Sequence, residues 1–127
     1  MKVLIDTNVI LDLLCDRKEF SADASRLFKL CEVKKLQGVV SALSIPNIVY
    51  IMRKELDGEK IREIINRLSM IFTIADLKAT DIERAAALPM NDFEDALQSV
   101  CAARLKADYI ALHKVLHLLQ AKVLQPC

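Results

Sequence analysis

The sequence contains very little glycine: Gly38 and Gly58 are the only two in 127 residues. Dinucleotide-binding G-x-G-x-x-G loops and P-loops need several glycines, because the backbone must approach phosphate groups closely. Both kinds of phosphate-binding loop are therefore excluded.

Long apolar runs and signal-like segments are also missing. No stretch reaches the roughly 18 to 20 apolar residues of a membrane-spanning helix, and the N-terminus lacks the layout of a secretory signal. The four cysteines form no C-x-x-C pair, so we interpret them as buried or inert thiols. These absences predict a cytoplasmic protein with no membrane partner.

Neither charge nor aromatic content indicates a broad surface for nucleic acid. The formal net charge is +1, and aromatic residues make up 5% of the chain. A strongly basic clamp and a row of stacking side chains are therefore not expected. Charge by itself identifies no partner.

Short apolar strands alternate with helical segments along the chain. The alternation implies parallel strands joined by crossover helices. We therefore predict a single α/β domain over residues 1–127, a three-layer α/β/α sandwich around a central parallel sheet of four to five strands. The strands are predicted near residues 2–6, 38–42, 71–75 and 108–112, with a further edge strand near 120–124.

Several helix starts can also be predicted. Asn8 is expected to cap a helix at 9–14, and Asp57 is expected to begin another. Thr80-Asp81-Ile82-Glu83 has the capping-box pattern, which predicts a helix over 81–88. Apolar periodicity predicts a longer helix over about 20–36.

Acidic side chains are concentrated at two places. Asp6 follows the first strand directly, and Asp92, Glu94 and Asp95 lie in or just before the first turn of the sixth predicted helix. Acids in a first turn stabilise a helix through its dipole, which is one interpretation of this cluster. The other is that the cluster meets Asp6 at the carboxyl edge of the sheet and binds a hard cation such as Mg²⁺ or Mn²⁺.

The order and spacing of these residues resemble the PIN-domain family over about residues 1–112. The resemblance rests on three segments: Asp6-Thr7-Asn8 after the first strand, Asp92-Phe93-Glu94-Asp95-Ala96-Leu97 before an Ala-rich helix, and Ala107-Asp108-Tyr109-Ile110 at the last strand. It implies a metal-dependent endoribonuclease, often the toxin of a bacterial toxin–antitoxin pair such as the VapC group. In that family, an Mg²⁺ or Mn²⁺ ion activates the water that hydrolyses the RNA phosphodiester.

Carried onto this chain residue by residue, the resemblance implies that Asp6 and Asp95 are the catalytic metal ligands. Asn8 matches the residue that orients the first acid, and Asp92 is expected to cap the helix and add negative charge nearby. Asn47 stands near a family glutamate; it can orient a water but supplies no charge to the metal. Lys114 replaces a further acid or amide, and it would either repel the metal or contact a substrate phosphate.

Two functions follow and stay open at this point. The first is the active ribonuclease, for which the resemblance implies an RNA substrate, an antitoxin partner and a homodimer. The second is a catalytically impaired PIN domain that binds RNA or protein, because Asn47 and Lys114 each remove negative charge from the expected pocket. His113 and His117 would share a helix face but lack a third ligand, so they are not counted as site residues.

Overall fold

The computed structural model describes residues 1–15 and 21–111. None of the helices in this part is long and apolar enough to cross a membrane. The elements are β1 (Lys2–Ile5), α1 (Thr7–Leu14), α2 (Ser21–Glu32), β2 (Gln37–Ser41), α3 (Ser44–Met52), α4 (Gly58–Ile71), β3 (Thr73–Ala75), α5 (Ala79–Ala86), α6 (Phe93–Arg104) and β4 (Tyr109–Ala111).

The described strands form one parallel sheet in the order β3-β2-β1-β4. β1 lies inside the sheet, where Leu4 aligns with Val39 of β2 and with Ile110 of β4. An inner strand of a parallel sheet is covered on both faces, which explains why Val3-Leu4-Ile5 is apolar without alternation. The edge strand predicted near 120–124 lies outside the described residues.

Helices cover both faces of this sheet. Val3 and Ile5 pack in one apolar cluster with side chains of α1, α2, α3 and α4. Leu4 points to the opposite face, as alternate strand residues do, and there it packs with Cys101 and Ala102 of α6. The predicted three-layer α/β/α sandwich is therefore confirmed.

Gly38 allows β2 to pack tightly against its helical cover. A Cβ atom at this position would lie 2.5 Å from Cδ1 of Phe72 and 2.8 Å from Sγ of Cys31. Both distances are shorter than any ordinary carbon contact. The Phe72 ring fills this space and meets the Phe28 ring edge to face, with 4.9 Å between the centroids.

Aspartates determine several helix starts, although not always the predicted ones. The starts at Asp57 and Asp92 are confirmed, because each side chain accepts hydrogen bonds from backbone N–H groups in the following turn. Asn8 is not the cap of α1: Asp6 is, and its carboxylate accepts from the N–H of Asn8. The predicted capping box at Thr80 was also wrong. α5 begins at Ala79, and Asp81 accepts from the N–H of Lys78 at 3.0 Å.

Two predicted element ends also differ from the structure. α2 ends at Glu32 rather than near residue 36, and Lys34 then adopts the left-handed conformation, with φ of 63°. The strand predicted from residue 71 begins only at Thr73. The reason is local, because the N–H of Phe72 still donates to the carbonyl of Leu68 and completes the last turn of α4.

Candidate metal centre

Asp6 lies at the carboxyl end of β1, in the middle of the sheet. Its N–H donates to the carbonyl of Ala111 at 3.1 Å, which ties the backbone here to β4. Its Oδ2 accepts from the N–H of Asn8 at 3.4 Å, which caps α1. The strand and the helix together fix this carboxylate, and only 7% of the residue is exposed.

The second oxygen of Asp6 faces α6. The side-chain amide of Gln98 lies 3.5 Å from Oδ1 and donates to it. A carboxylate offers about four lone-pair sites, so one hydrogen bond on each oxygen leaves capacity for a further ligand. Burial raises the pKa of Asp6, the backbone N–H of Asn8 lowers it, and the negative charge of Asp95 raises it again.

The first turn of α6 brings further acids to Asp6. Asp92 caps the helix, and its Oδ1 accepts from the N–H groups of Glu94 at 2.9 Å and Asp95 at 3.2 Å. The pKa of Glu94 is raised by burial and then by the charges of Asp6, Asp92 and Asp95. The predicted convergence of Asp6 with the acidic turn is therefore present in the structure.

Asn47 contacts an acid rather than Asp6 itself. Its Nδ2 donates to Oε1 of Glu94 at 3.1 Å, which joins α3 to the first turn of α6. Both side chains line a cleft of about 190 Å³ whose other walls come from α1 and α3. The remaining residues lining it are Thr7, Asn8, Leu11, Tyr50 and Ile51.

A buried pair of hydroxyl groups sets the position of α3 relative to α1. Thr7 Oγ1 donates to Ser44 Oγ at 2.7 Å, and both residues are buried. Thr7 follows Asp6 directly, and Ser44 opens the helix that carries Asn47. This hydrogen bond therefore places both helix starts at the same edge of the sheet.

The sequence interpretation missed three residues near the centre. Glu94 was included in the acidic turn but was given no role in the site, although its position one residue before Asp95 was a usable signal. Gln98 lies one helical turn after Asp95, which places it on the same helix face. Ser44 gave no signal, because its contact with Thr7 spans 37 positions in sequence.

The available donors suit a hard divalent cation. Within the described residues, no Lys or Arg forms an ion pair with Asp6, Glu94 or Asp95. In that part of the chain, no three His, Cys, Asp or Glu side chains together form a complete set of protein ligands for a metal. Mg²⁺ commonly binds through one or two carboxylates and keeps several waters, so carboxylate and amide oxygens fit it without a larger cage. His113, Lys114 and His117 lie outside the described residues.

Comparisons with known proteins match the part of the chain that contains Asp6 and the acidic first turn of α6. A family model described as PIN domain matches residues 2–111. Among solved structures, the chain is similar to Mycobacterium tuberculosis VapC20, described as a sarcin-ricin loop cleaving toxin. The TM-score is 0.68 and the identity 14%, over 86% of this chain and 87% of that chain, so this likeness supports the fold alone. The search of curated proteins gave no match.

Proposed function

The chain belongs to the PIN-domain family, and from this premise we propose that it is an Mg²⁺- or Mn²⁺-dependent endoribonuclease, the toxin of a toxin–antitoxin pair. One observation carries the proposal: the buried Asp6 carboxylate lies beside the acids of α6, and the described part of the chain gives it no Lys or Arg partner. The pKa values of Asp6 and Glu94 are both raised, and Glu94 lines the cleft; carboxyl groups of raised pKa beside a cleft are typical of functional sites.

We assign the roles of the individual residues from the resemblance to the family and from the contacts described above. Asp6 and Asp95 would hold the cation, and Asn8 restrains Asp6 through its backbone N–H. Asp92 orients the acidic turn by capping α6, while Asn47 holds Glu94 at the edge of the cleft. When bound, a divalent cation supplies Lewis-acid stabilisation of the phosphate and lowers the pKa of water. RNA would enter through the cleft between α1, α3 and α6 and would be encountered in the cytoplasm.

The decisive experiment compares two aspartates that both cap helices. Asp6→Asn and Asp57→Asn each keep a residue that caps well, so both variants lose one charge and retain the helix start. With several RNAs and added Mg²⁺ or Mn²⁺, we expect Asp6→Asn to lose about 100-fold or more in cleavage rate, as removal of a key electrostatic contact does. Asp57→Asn should cleave as the wild type does. A wild-type chain that is inert with both metals would contradict the proposal.

The second candidate is a PIN domain that binds RNA or protein without turnover. It is favoured by the neutral Asn47 and by the lack of a three-ligand metal group within residues 1–15 and 21–111. Calorimetry with Mn²⁺ separates the two functions. Micromolar binding that Asp6→Asn abolishes supports the nuclease, whereas no detectable binding at millimolar Mn²⁺ supports the binding module.

The partners are part of the same proposal. If the chain acts as a toxin, a small antitoxin should bind it and block the cleft, and the protein should form a homodimer. Co-expression with the product of an adjacent short reading frame tests both ideas. We expect a stable complex with suppressed RNA cleavage, and light scattering should show two copies of this chain. A monomer that no neighbouring product binds would argue against the toxin assignment.

A further inference from the structure

Gln98 is a polar side chain in a mostly apolar part of α6. The residue is 2% exposed, and its helix neighbours Leu97 and Val100 belong to the apolar cluster between α5 and α6. Burying an amide without hydrogen bonds costs free energy. If this position served packing alone, leucine or methionine would fill it at lower cost.

The amide of Gln98 is only half satisfied. Nε2 donates to Oδ1 of Asp6 at 3.5 Å, while the buried Oε1 finds no hydrogen-bond partner within the described residues. The opposite amide orientation would place two acceptor oxygens against each other. Asp6 therefore fixes the orientation, and an unsatisfied carbonyl oxygen is held beside the carboxylate.

We propose that Gln98 is a positioning residue of the metal centre: its N–H holds Asp6, and its carbonyl accepts a hydrogen bond from a water that enters with the divalent cation. This inference rests on the proposed function. Mg²⁺ and Mn²⁺ sites in proteins commonly retain waters, and a buried water is the usual partner of an otherwise unsatisfied polar atom. Groups that orient metal ligands typically contribute 10- to 100-fold to metal affinity.

A packing role and a positioning role predict different effects on the metal-free protein. If Gln98 positions the site, the destabilisation from its unsatisfied carbonyl offsets its long 3.5 Å hydrogen bond to Asp6, so an apolar side chain of similar volume should leave the stability of the metal-free fold nearly unchanged. If Gln98 serves the fold, the same change should destabilise the protein and leave metal affinity as it was.

The test measures Mn²⁺ affinity by calorimetry and the urea midpoint in EDTA, with the full chain throughout. Gln98→Met removes the amide at similar volume, and Leu97→Met is the control for methionine at the adjacent buried position. We expect Gln98→Met to bind Mn²⁺ about 10-fold or more weakly, with a urea midpoint close to that of the wild type. Gln98→Glu keeps acceptor oxygens but loses the N–H that holds Asp6, so it should bind Mn²⁺ more tightly than Gln98→Met does.

Each other outcome overturns the proposal in a recognisable way. Wild-type affinity in Gln98→Met would show that the amide does not serve the metal site. A Gln98→Glu affinity as weak as that of Gln98→Met would remove the acceptor role. If Gln98→Met unfolds while Leu97→Met does not, Gln98 is structural. A wild-type chain that binds no Mn²⁺ contradicts the proposed function as well, which separates that failure from the others.

Discussion

Helix α6 begins beside carboxylates that pair with no Lys or Arg of the described residues, and it ends at Arg104, which pairs with the Asp81 carboxylate. At the first turn, Glu94 and Asp95 lie near Asp6, and no Lys or Arg of the described chain pairs with any of the three. At the last turn, Arg104 binds the buried Asp81 of α5. One helix thus holds the same chemical group in two opposite electrostatic settings.

The geometry at the second end explains the difference. Arg104 Nε donates to Asp81 Oδ1 at 3.0 Å, and Nη2 donates to Oδ2 at 3.0 Å and to the carbonyl of Asp76 at 2.7 Å. These hydrogen bonds lower the pKa of Asp81 despite its burial. Burial instead raises the pKa of Asp6. Among the described residues, Arg104 thus compensates the charge of Asp81, whereas no Lys or Arg is paired with Asp6.

The largest expected effect comes from removing the cation of the compensated end. Arg104→Met leaves Asp81 buried without its partner. Loss of one member of a fully buried pair typically costs about 3 to 5 kcal/mol of unfolding free energy, and because 19% of the Arg104 side chain is exposed we expect a loss at the lower end of that range. Urea unfolding measures this loss. Arg67→Met is the control, because Arg67 forms an exposed pair with Glu63 at 3.8 Å, and such pairs contribute about 1 kcal/mol or less. Equal losses in the two variants would contradict the comparison.

Acid should weaken the same end by a smaller amount. Because the pKa of Asp81 is lowered in the folded protein, its stabilising contribution is present above the unfolded pKa of about 3.9 and is lost as the pH falls through the folded pKa. The difference in unfolding free energy between wild type and Arg104→Met should therefore narrow below about pH 4. If the difference in unfolding free energy stays constant from pH 7 to pH 3, the interaction between Arg104 and Asp81 does not depend on the Asp81 charge.

At the uncompensated end, removing a charge should stabilise the metal-free protein. Burial makes the charged form of Asp6 unfavourable. In EDTA, Asp6→Asn should therefore raise the unfolding free energy by about 0.5 to 1 kcal/mol, which is typical of a stabilising substitution. Asp57→Asn, with its exposed helix cap, should change the unfolding free energy very little. A loss of stability in Asp6→Asn would mean that the chain already compensates this charge.

The smallest expected effect tests whether Glu94 adds charge to the site. Glu94→Gln keeps an oxygen that can accept from Asn47 but removes one negative charge. We expect Mn²⁺ affinity to fall about threefold to fivefold, which corresponds to less than about 1 kcal/mol for a partly exposed charge. Glu63→Gln, an equal change in charge on exposed α4, should leave the affinity unchanged. Identical affinities in both variants would restrict the metal site to Asp6 and Asp95.

The sequence predicted best those features that depend on local pattern. Apolar runs and helical periodicity identified the four described strands and the three-layer order, and the caps at Asp57 and Asp92 follow from residues two or three positions away. Asn8 was wrongly predicted as the cap of α1, although the real contact is also local: Asp6 and Asn8 can both cap a helix, and the sequence did not show that the Asp6 carboxylate accepts from the N–H of Asn8.

For the candidate site, the sequence predicted the acidic residues but not the contacts that hold them in place. The approach of Asp6 to the turn with Asp95 followed from the parallel topology, but their roles as metal ligands stay a prediction. The link from Asn47 to Glu94 spans 47 positions in sequence, and that from Arg104 to Asp81 spans 23. No local pattern shows which distant side chain will contact each acid, so the different surroundings of Glu94 and Asp81 were visible only in the fold.

The pairing of β1 with β4 also has a consequence for the order in which the protein is made. Asp6 comes far before Ala111 in the chain, yet its backbone N–H is held by the carbonyl of Ala111. The acidic turn of α6 is also made late. β1 and β4 can pair only after the later strand has been made, as the distant pairings of parallel sheets generally require. We therefore expect that a chain ending before residue 92 would lack both the acids of α6 and the strand that holds Asp6, and so would not form the proposed metal site.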